Sequence, residues 1–304
     1  MTTTALSERR QSATQARPAR ASLAGAVRAE LLKLRKQRLN WVMLAMAVLL
    51  FGVIALALST SDQRHSLARS PHTFFNSSLD IWATTFQMGS GILLLLVSAR
   101  LMGMEYSAGT LRILLARGEG RLQLLAAKLL ALISLGLLLL AGYVMLAGAY
   151  TAGTVIALHG NLDPLRSLPA VAWQNLGLAA LGQVISIVCA VLLGTAAAVL
   201  GRSLAFAVGV AMSFYPADNF GALVLLLLSN ATHQSFWTKP TDVMLGPNLN
   251  VLLHTLEPDH SAQAAFAAPI DQVDAVHVLL VIAVWAALFL GSSIILLSRR
   301  DVNQ

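Results

Sequence analysis

The sequence predicts an all-α, polytopic membrane protein: six transmembrane helices, an N-terminal interfacial helix and one short surface helix between the second and third crossings. Three observations predict it. Of 304 residues, 57% are hydrophobic and only 12% charged, whereas a soluble domain carries about a quarter charged residues. Six runs are long and apolar enough to cross a ~30 Å hydrocarbon core, which takes ~20 helical residues. The Lys and Arg residues are segregated, 17 of the 21 on one set of alternate connecting segments and 4 on the other. That bias marks the richer side, with both termini, as cytoplasmic in a cell (inner) membrane. A water-soluble enzyme is thereby excluded. The formal charge of +7 belongs to the flanks of membrane helices, so lipid and not nucleic acid is the expected contact. The single cysteine, Cys189, lies in an apolar run, which leaves no disulfide framework and no cysteine metal cluster.

Residues 1–20 are rich in Thr, Ser, Ala and Arg and read as a disordered cytoplasmic tail, with 21–304 forming one six-helix domain. Leu23, Val27, Leu31 and Leu34 then fall at helical spacing among Arg28, Lys33, Arg35, Lys36 and Arg38, the pattern of a helix lying on an anionic leaflet. The crossings are expected at 40–59, 81–102, 129–158, 171–200, 204–229 and 276–298. The first is too long for a cleavable signal and follows its basic cluster, so it stays attached. Two 30-residue runs must tilt, kink or project. The fifth contains Pro216 and Asp218, which leaves open a continuous helix or one broken at an outward-facing bend. The outer segment 230–275 carries Pro240, Pro247, Pro258 and Pro269 between apolar stretches. Its length buries too little for a folded domain, and short helices at or dipping into the interface fit better.

The stretch from Arg100 to Lys128 departs most from generic membrane helix. Glu105 leads to Gly109 and Thr110, an N-cap for a two-turn piece over Leu111–Ala116 that ends at Arg117, Gly118, Glu119, Gly120 and Arg121. Its leucines form an apolar face too large to leave in water, and Arg112, Arg117 and Arg121 suit an acidic partner. Glu105, near the end of the second crossing, is positioned to bind backbone amides of the short helix or a basic residue of the N-terminal helix.

Three blocks together resemble the permease subunits of type 2 ATP-binding cassette (ABC) exporters. They are Ala29-Glu30-Leu31-Leu32-Lys33-Leu34-Arg35, then Glu105-Tyr106-Ser107-Ala108-Gly109-Thr110-Leu111 with Arg121 and Lys128 downstream, and the terminal Arg299-Arg300-Asp301. The resemblance extends over nearly the whole chain through its six-helix layout. It implies half of an export pathway that pairs with a second permease, as homodimer or heterodimer, and docks two copies of a separate ATPase holding ATP and Mg. The short helix is then a coupling helix, with Glu105, Gly109, Thr110, Leu111, Arg112, Leu114, Arg117, Gly118 and Arg121 as coupling residues.

No G-x-x-x-x-G-K-[ST] phosphate loop occurs in the chain, so nucleotide hydrolysis is expected elsewhere. Asp218 with Asn219 and Tyr215, and Gln87 with Ser90, are candidate pathway residues, polar groups that lipid cannot satisfy. Gln174, Asn175 and Gln183 are of the same kind and read more simply as helix-to-helix contacts. Two other classes remain in view: an ion-coupled secondary transporter using Asp218, and an intramembrane hydrolase, for which Gly89-Ser90-Gly91 lacks the G-x-S-x-G frame and any nearby base. The seven histidines all fall on the outer side without an i, i+4 pair, so no metal site is expected.

Overall fold

The computed structural model describes residues 22–58, 70–109, 120–256 and 268–299, and among these it is helical without a strand. Helix α1 spans Leu23–Lys36. Its N-cap Ser22 accepts the Gly25 amide at 3.1 Å, satisfying one of the free N–H groups of the first turn. A break at Gln37 separates α1 from α2, Arg38–Leu58. The corner is closed by side chains: Asn40 Nδ2 donates to the Leu34 carbonyl at 2.9 Å and Trp41 Nε1 to that of Arg35 at 2.8 Å. The last carbonyls of α1 are thereby satisfied where no further helical turn exists to do so.

Next come α3, Pro71–Ser107, and α4, Arg121–His159. With 37 and 39 residues, each is longer than its apolar run. At 1.5 Å per residue they reach about 55–60 Å, well beyond the ~30 Å hydrocarbon layer. The difference has a local cause. Helix α3 begins at Ser70 as N-cap and Pro71 in the first turn, a strong start signal that ignores hydropathy, and continues through His72, Asn76 and Asp80. Helix α4 gains its extra turns at its start, Arg121–Lys128, and ends beside its apolar run at Gly160, whose φ of 79° lies in the left-handed region. A single turn, α5 (Asp163–Arg166), leads to α6, Ala170–Gly201, and then α7, Leu204–Thr232. Helix α7 runs unbroken through Pro216.

After a 3-10 turn at Ser235–Trp237, the chain re-enters the bundle as α8, Lys239–Val243, and α9, Leu245–Leu256, before α10, Ala275–Arg299. Leu245, Leu249 and Leu252 of α9 are buried. The break between α8 and α9 is satisfied by Trp285 Nε1 on the Val243 carbonyl at 2.9 Å and by Asn248 Nδ2 on those of Asp242 and Met244 at 2.9 and 2.7 Å. Irregular backbone at this depth is tolerable because protein, not lipid, surrounds it.

Helices α2, α3, α4, α6, α7 and α10 are the six spanning elements of a multi-pass membrane protein. The core is built on α3 against α6. A Cβ on Gly194 would lie 2.0 Å from Ser98 Oγ and 2.7 Å from the Leu95 carbonyl, so only glycine permits this approach. Ser98 turns its hydroxyl back onto its own helix, donating to the Leu94 carbonyl at 2.6 Å. Helix α2 sits at the edge, held by Phe51 stacked on Trp82 at 4.7 Å and by Tyr150 OH donating to the Ala55 carbonyl at 2.8 Å.

Candidate coupling site

Where α1, the end of α3 and the start of α4 meet, four ionisable side chains converge. Lys128 Nζ lies 2.7 Å from Glu105 Oε1 and 3.1 Å from Glu30 Oε2, while Lys33 Nζ lies 2.7 Å from Glu30 Oε1 and 3.0 Å from Glu105 Oε1. Two carboxylates and two ammonium groups alternate in a closed ring with no net charge. Lys128 is wholly inaccessible, and the side chains of Glu30 and Glu105 are 4% and 11% exposed. An unpaired charge at such depth costs several kcal/mol, so these residues are tolerable only as a set. Burial works against the Lys33 charge, but hydrogen bonds and attraction from Glu30 and Glu105 outweigh it and hold its pKa above the usual lysine value.

Each residue reaches the ring by helical geometry. Glu30 lies on the inward face of α1 with Leu34, one turn apart, and Lys33 follows at i+3. The apolar stripe expected through Leu23, Val27, Leu31 and Leu34 is therefore rotated: Leu34 is buried, but Leu31 is 37% and Leu23 42% exposed. Glu30 takes the inward place because α4 offers Lys128 there. Glu105 and Lys128 stand near the two ends of the 106–127 connection, so their contact pins its base, and Lys33 and Glu30 fasten that base to α1.

Two further bonds tie the same base to the other end of the bundle's chain. Arg121 donates from one guanidinium nitrogen to the carbonyls of Leu297 and Ser298 at 3.0 and 3.1 Å, capping the last turn of α10 with a cation where the helix dipole favours one. Ser107 Oγ accepts the Leu204 amide at 3.2 Å, linking the end of α3 to the start of α7. Gly109, at φ 66°, turns the chain out of α3. Thr110, Leu111, Arg112, Leu114, Arg117 and Gly118, the expected body of the short helix, lie outside the described residues.

The expected pathway residues are partly brought together, deeper in the bundle. Gln87 on α3 donates to Asn250 Oδ1 at 2.9 Å, and Asn250 donates to Asn219 Oδ1 on α7 at 2.8 Å. Next to Asn219, the Asp218 carboxylate accepts the Gly246 amide at the start of α9, placing a negative charge where the unpaired amides of a helix N-terminus point. A Cβ on Gly246 would lie 2.7 Å from Asn219 Nδ2, so a side chain here would displace the Asn219 amide. Ser90 is buried on α3 and takes no part in this chain of bonds. Of Tyr215 only the backbone, within α7, is described. Gln183 donates to the Ala83 carbonyl at 3.2 Å, a helix-to-helix contact between α6 and α3.

Sequence reading passed over Glu30, Lys33 and Lys128 as site residues and missed Asn250 altogether. The signal for the first group is a charge on an apolar helical face. None existed for Asn250, which sits in an outer segment where a polar residue is unremarkable.

A family model described as ABC-2 family transporter protein matches residues 26–218. The chain belongs to the ABC-2 transporter family. It is a membrane permease component of an ABC transporter, the part that works with an ABC ATPase and is not itself that ATPase. No match is found among curated proteins. The matched span begins inside α1 and ends in α7 at Asp218, and so contains the whole ionic ring.

Proposed function

We propose that this permease is half of an export pathway, that its basic side faces the cytoplasm of a cell (inner) membrane, and that the 105–121 segment receives the ATPase movement. Two permeases, identical or related, and two ATPase copies form the working unit, with ATP and Mg held by the ATPase. The observation that carries the reading is the ring of Glu30, Lys33, Glu105 and Lys128. A loop transmits force only if its base is stiff. Here the Glu105–Lys128 contact at 2.7 Å closes the base, while Arg121 and Ser107 extend the connection to α10 and α7. Displacement of the loop is thereby passed to five helices at once, α1, α3, α4, α7 and α10.

Glu105 acts as a structural anchor. Gly109 and Gly118 shape the turns, Thr110 caps the short helix, and Leu111 and Leu114 supply an apolar contact, with Arg112 and Arg117 pairing to acidic groups of the ATPase. Asp218, Asn219 and Gln87, joined through Asn250 and Gly246, are the proposed polar lining of the pathway, with Ser90 and Tyr215 as further candidates. The sidedness has a direct test in thiol labelling of intact cells, since the native Cys189 is buried. Asn161→Cys should react with an impermeant reagent and Ala108→Cys should not. Coupling is tested in a reconstituted complex with its ATPase. Leu114→Asp should abolish ATPase binding, and Glu105→Gln should lower permease-dependent hydrolysis at least tenfold with the complex intact. Unchanged binding and hydrolysis in both variants would refute the assignment.

A further inference from the structure

Away from the basic side, α3, α4 and α6 enclose a cavity of about 220 Å³. Its lining runs from Phe75 to Phe86 on α3, from Leu140 to Thr151 on α4 and from Trp173 to Gln183 on α6. Each stretch covers ten or eleven residue steps of spanning helix, or about 16 Å at 1.5 Å per residue. The recess is therefore long and lies along the bundle axis, and its length matches half of the ~30 Å hydrocarbon layer, the depth of one leaflet.

Its chemistry is more selective than its residue types suggest. Ser78, Thr151 and Trp173 bring polar groups to its lining, as do Trp82, Tyr143 and Gln183. Yet the Trp82 indole nitrogen, the Tyr143 hydroxyl oxygen and the Gln183 amide oxygen are each buried out of solvent reach. Trp82 is held that way by its stack on Phe51 at 4.7 Å and by edge contacts with Tyr143 and Tyr150. No charged side chain is among the lining residues. The exposed interior surface is mostly hydrocarbon and aromatic ring, a surface that water wets poorly and that binds apolar molecules. A charged ligand would lose its hydration and find no counter-ion among the lining residues.

The neighbouring surface indicates where the occupant comes from. Val144 and Trp173, at the edge of the recess, are 42% and 52% exposed, and Met145 and Leu181 beside them face outward as well. On a spanning helix, such residues meet lipid. The recess thus opens sideways into the bilayer and not onto an aqueous vestibule.

We propose that this recess is a binding site for one acyl chain of a phospholipid in the leaflet opposite the basic side. The chain lies along α3 between α4 and α6, with its headgroup at the level of Phe75 and Leu165. The site stands independently of the export reading, because it uses none of the coupling or pathway residues.

The test is photo-crosslinking of the full-length chain in phosphatidylcholine nanodiscs doped with a phosphatidylcholine that carries a diazirine in one acyl chain. Adducts are mapped by mass spectrometry. Labelling of the recess should exceed that of Val284 and Leu288, exposed residues of α10, by at least fivefold, and should be reduced by excess unlabelled phospholipid. A Cβ at Gly148 meets nothing within 4 Å, so Gly148→Trp fills the recess without a backbone clash. It should bring recess labelling down to the level at Val284 while leaving α10 labelling unchanged. Ala180→Phe, checked for the same melting profile as the parent, is the second filling variant. Recess labelling at or below the α10 level, as a covering second copy of the chain would give, overturns the proposal. So does enrichment that survives both filling substitutions in folded protein.

Discussion

Replacing Lys128 with methionine keeps an unbranched stem and removes the ammonium group with its charge and its hydrogen bonds, so Lys128→Met tests whether the ionic ring is a balanced set. In the parent, Lys128 serves both carboxylates, at 2.7 and 3.1 Å, from a fully inaccessible position. Afterwards Glu30 and Glu105, 4% and 11% exposed, share Lys33, whose side chain is 43% exposed. One negative charge is left buried without a counter-ion. Removing one partner of a buried pair costs about 3–5 kcal/mol, most of it the cost of the stranded charge. Lys33 lies close to both carboxylates and remains in place, which puts the expected loss near the lower end, about 3 kcal/mol. The sharper expectation concerns the double variant. Lys128→Met with Glu105→Gln leaves Glu30 paired to Lys33 at 2.7 Å and restores neutrality, so roughly 2 kcal/mol should return as coupling in a double-mutant cycle. Reversible unfolding in mixed micelles, followed by helical signal, measures all four proteins. If Lys128→Met costs under about 1 kcal/mol, or if Glu105→Gln adds to the loss instead of relieving it, the ring is not a charge-balanced unit.

Gly194→Val should destabilise the α3–α6 contact by about 2–3 kcal/mol, because the new side chain enters space held by Ser98 and the Leu95 carbonyl. Gly142→Ala, where a Cβ meets nothing within 4 Å, should stay within about 0.5 kcal/mol in the same unfolding assay. Asn250→Leu removes the hydrogen bonds to Gln87 and Asn219, at 2.9 and 2.8 Å, and should cost about 1–3 kcal/mol. Its rate of ATP-driven transport should fall further than that of Gln174→Leu. Lys239 and Asp271 form an exposed pair at 2.6 Å. The hydrogen bond from Lys239 holds the Asp271 carboxyl below its usual value, and the bond to Asp271 raises the Lys239 pKa. A lowered acid adds stability above its unfolded value near ~4, lost as pH falls through the folded value. A raised base adds stability below ~10.4, lost as pH rises through the folded value. Amide protection factors near Lys239 and Asp271, with the intrinsic pH dependence of exchange divided out, should therefore be insensitive to this pair between about pH 5 and 10 and should fall under acid, and Lys239→Gln should remove that acid response.

Much of the architecture was legible from composition and period alone. Six apolar runs gave six spanning helices, and the cluster around Leu23–Lys36 gave α1, because the need to cover backbone polar groups in lipid leaves a long apolar run no other structure. The short helices of the outer segment were legible as well, from apolar stretches separated by prolines. The lengths of α3 and α4 were not. The cap at Ser70 and the first turns of α4, from Arg121 to Lys128, lie outside the apolar runs, where hydropathy carries no information.

The site divides in the same way. Glu105 stood out in the sequence because a carboxylate at the end of an apolar helix needs a partner, and a basic residue of the N-terminal helix was one of two expected. That Lys33 is such a residue, that Lys128 and Glu30 complete a neutral ring, and that Asn250 joins Gln87 to Asn219 were decided by tertiary structure alone. The partners of Glu105 on α1 and of Gln87 on α9 stand 72 and 163 positions away. Hydrophobic pattern determines that a segment is a helix and roughly which face turns inward, to within the rotation that moved Leu31 outward and Glu30 inward. Which polar residues then meet depends on the rotation and axial offset of each helix. Those are set by close contacts such as Gly194 on Ser98, whose geometry no local pattern contains.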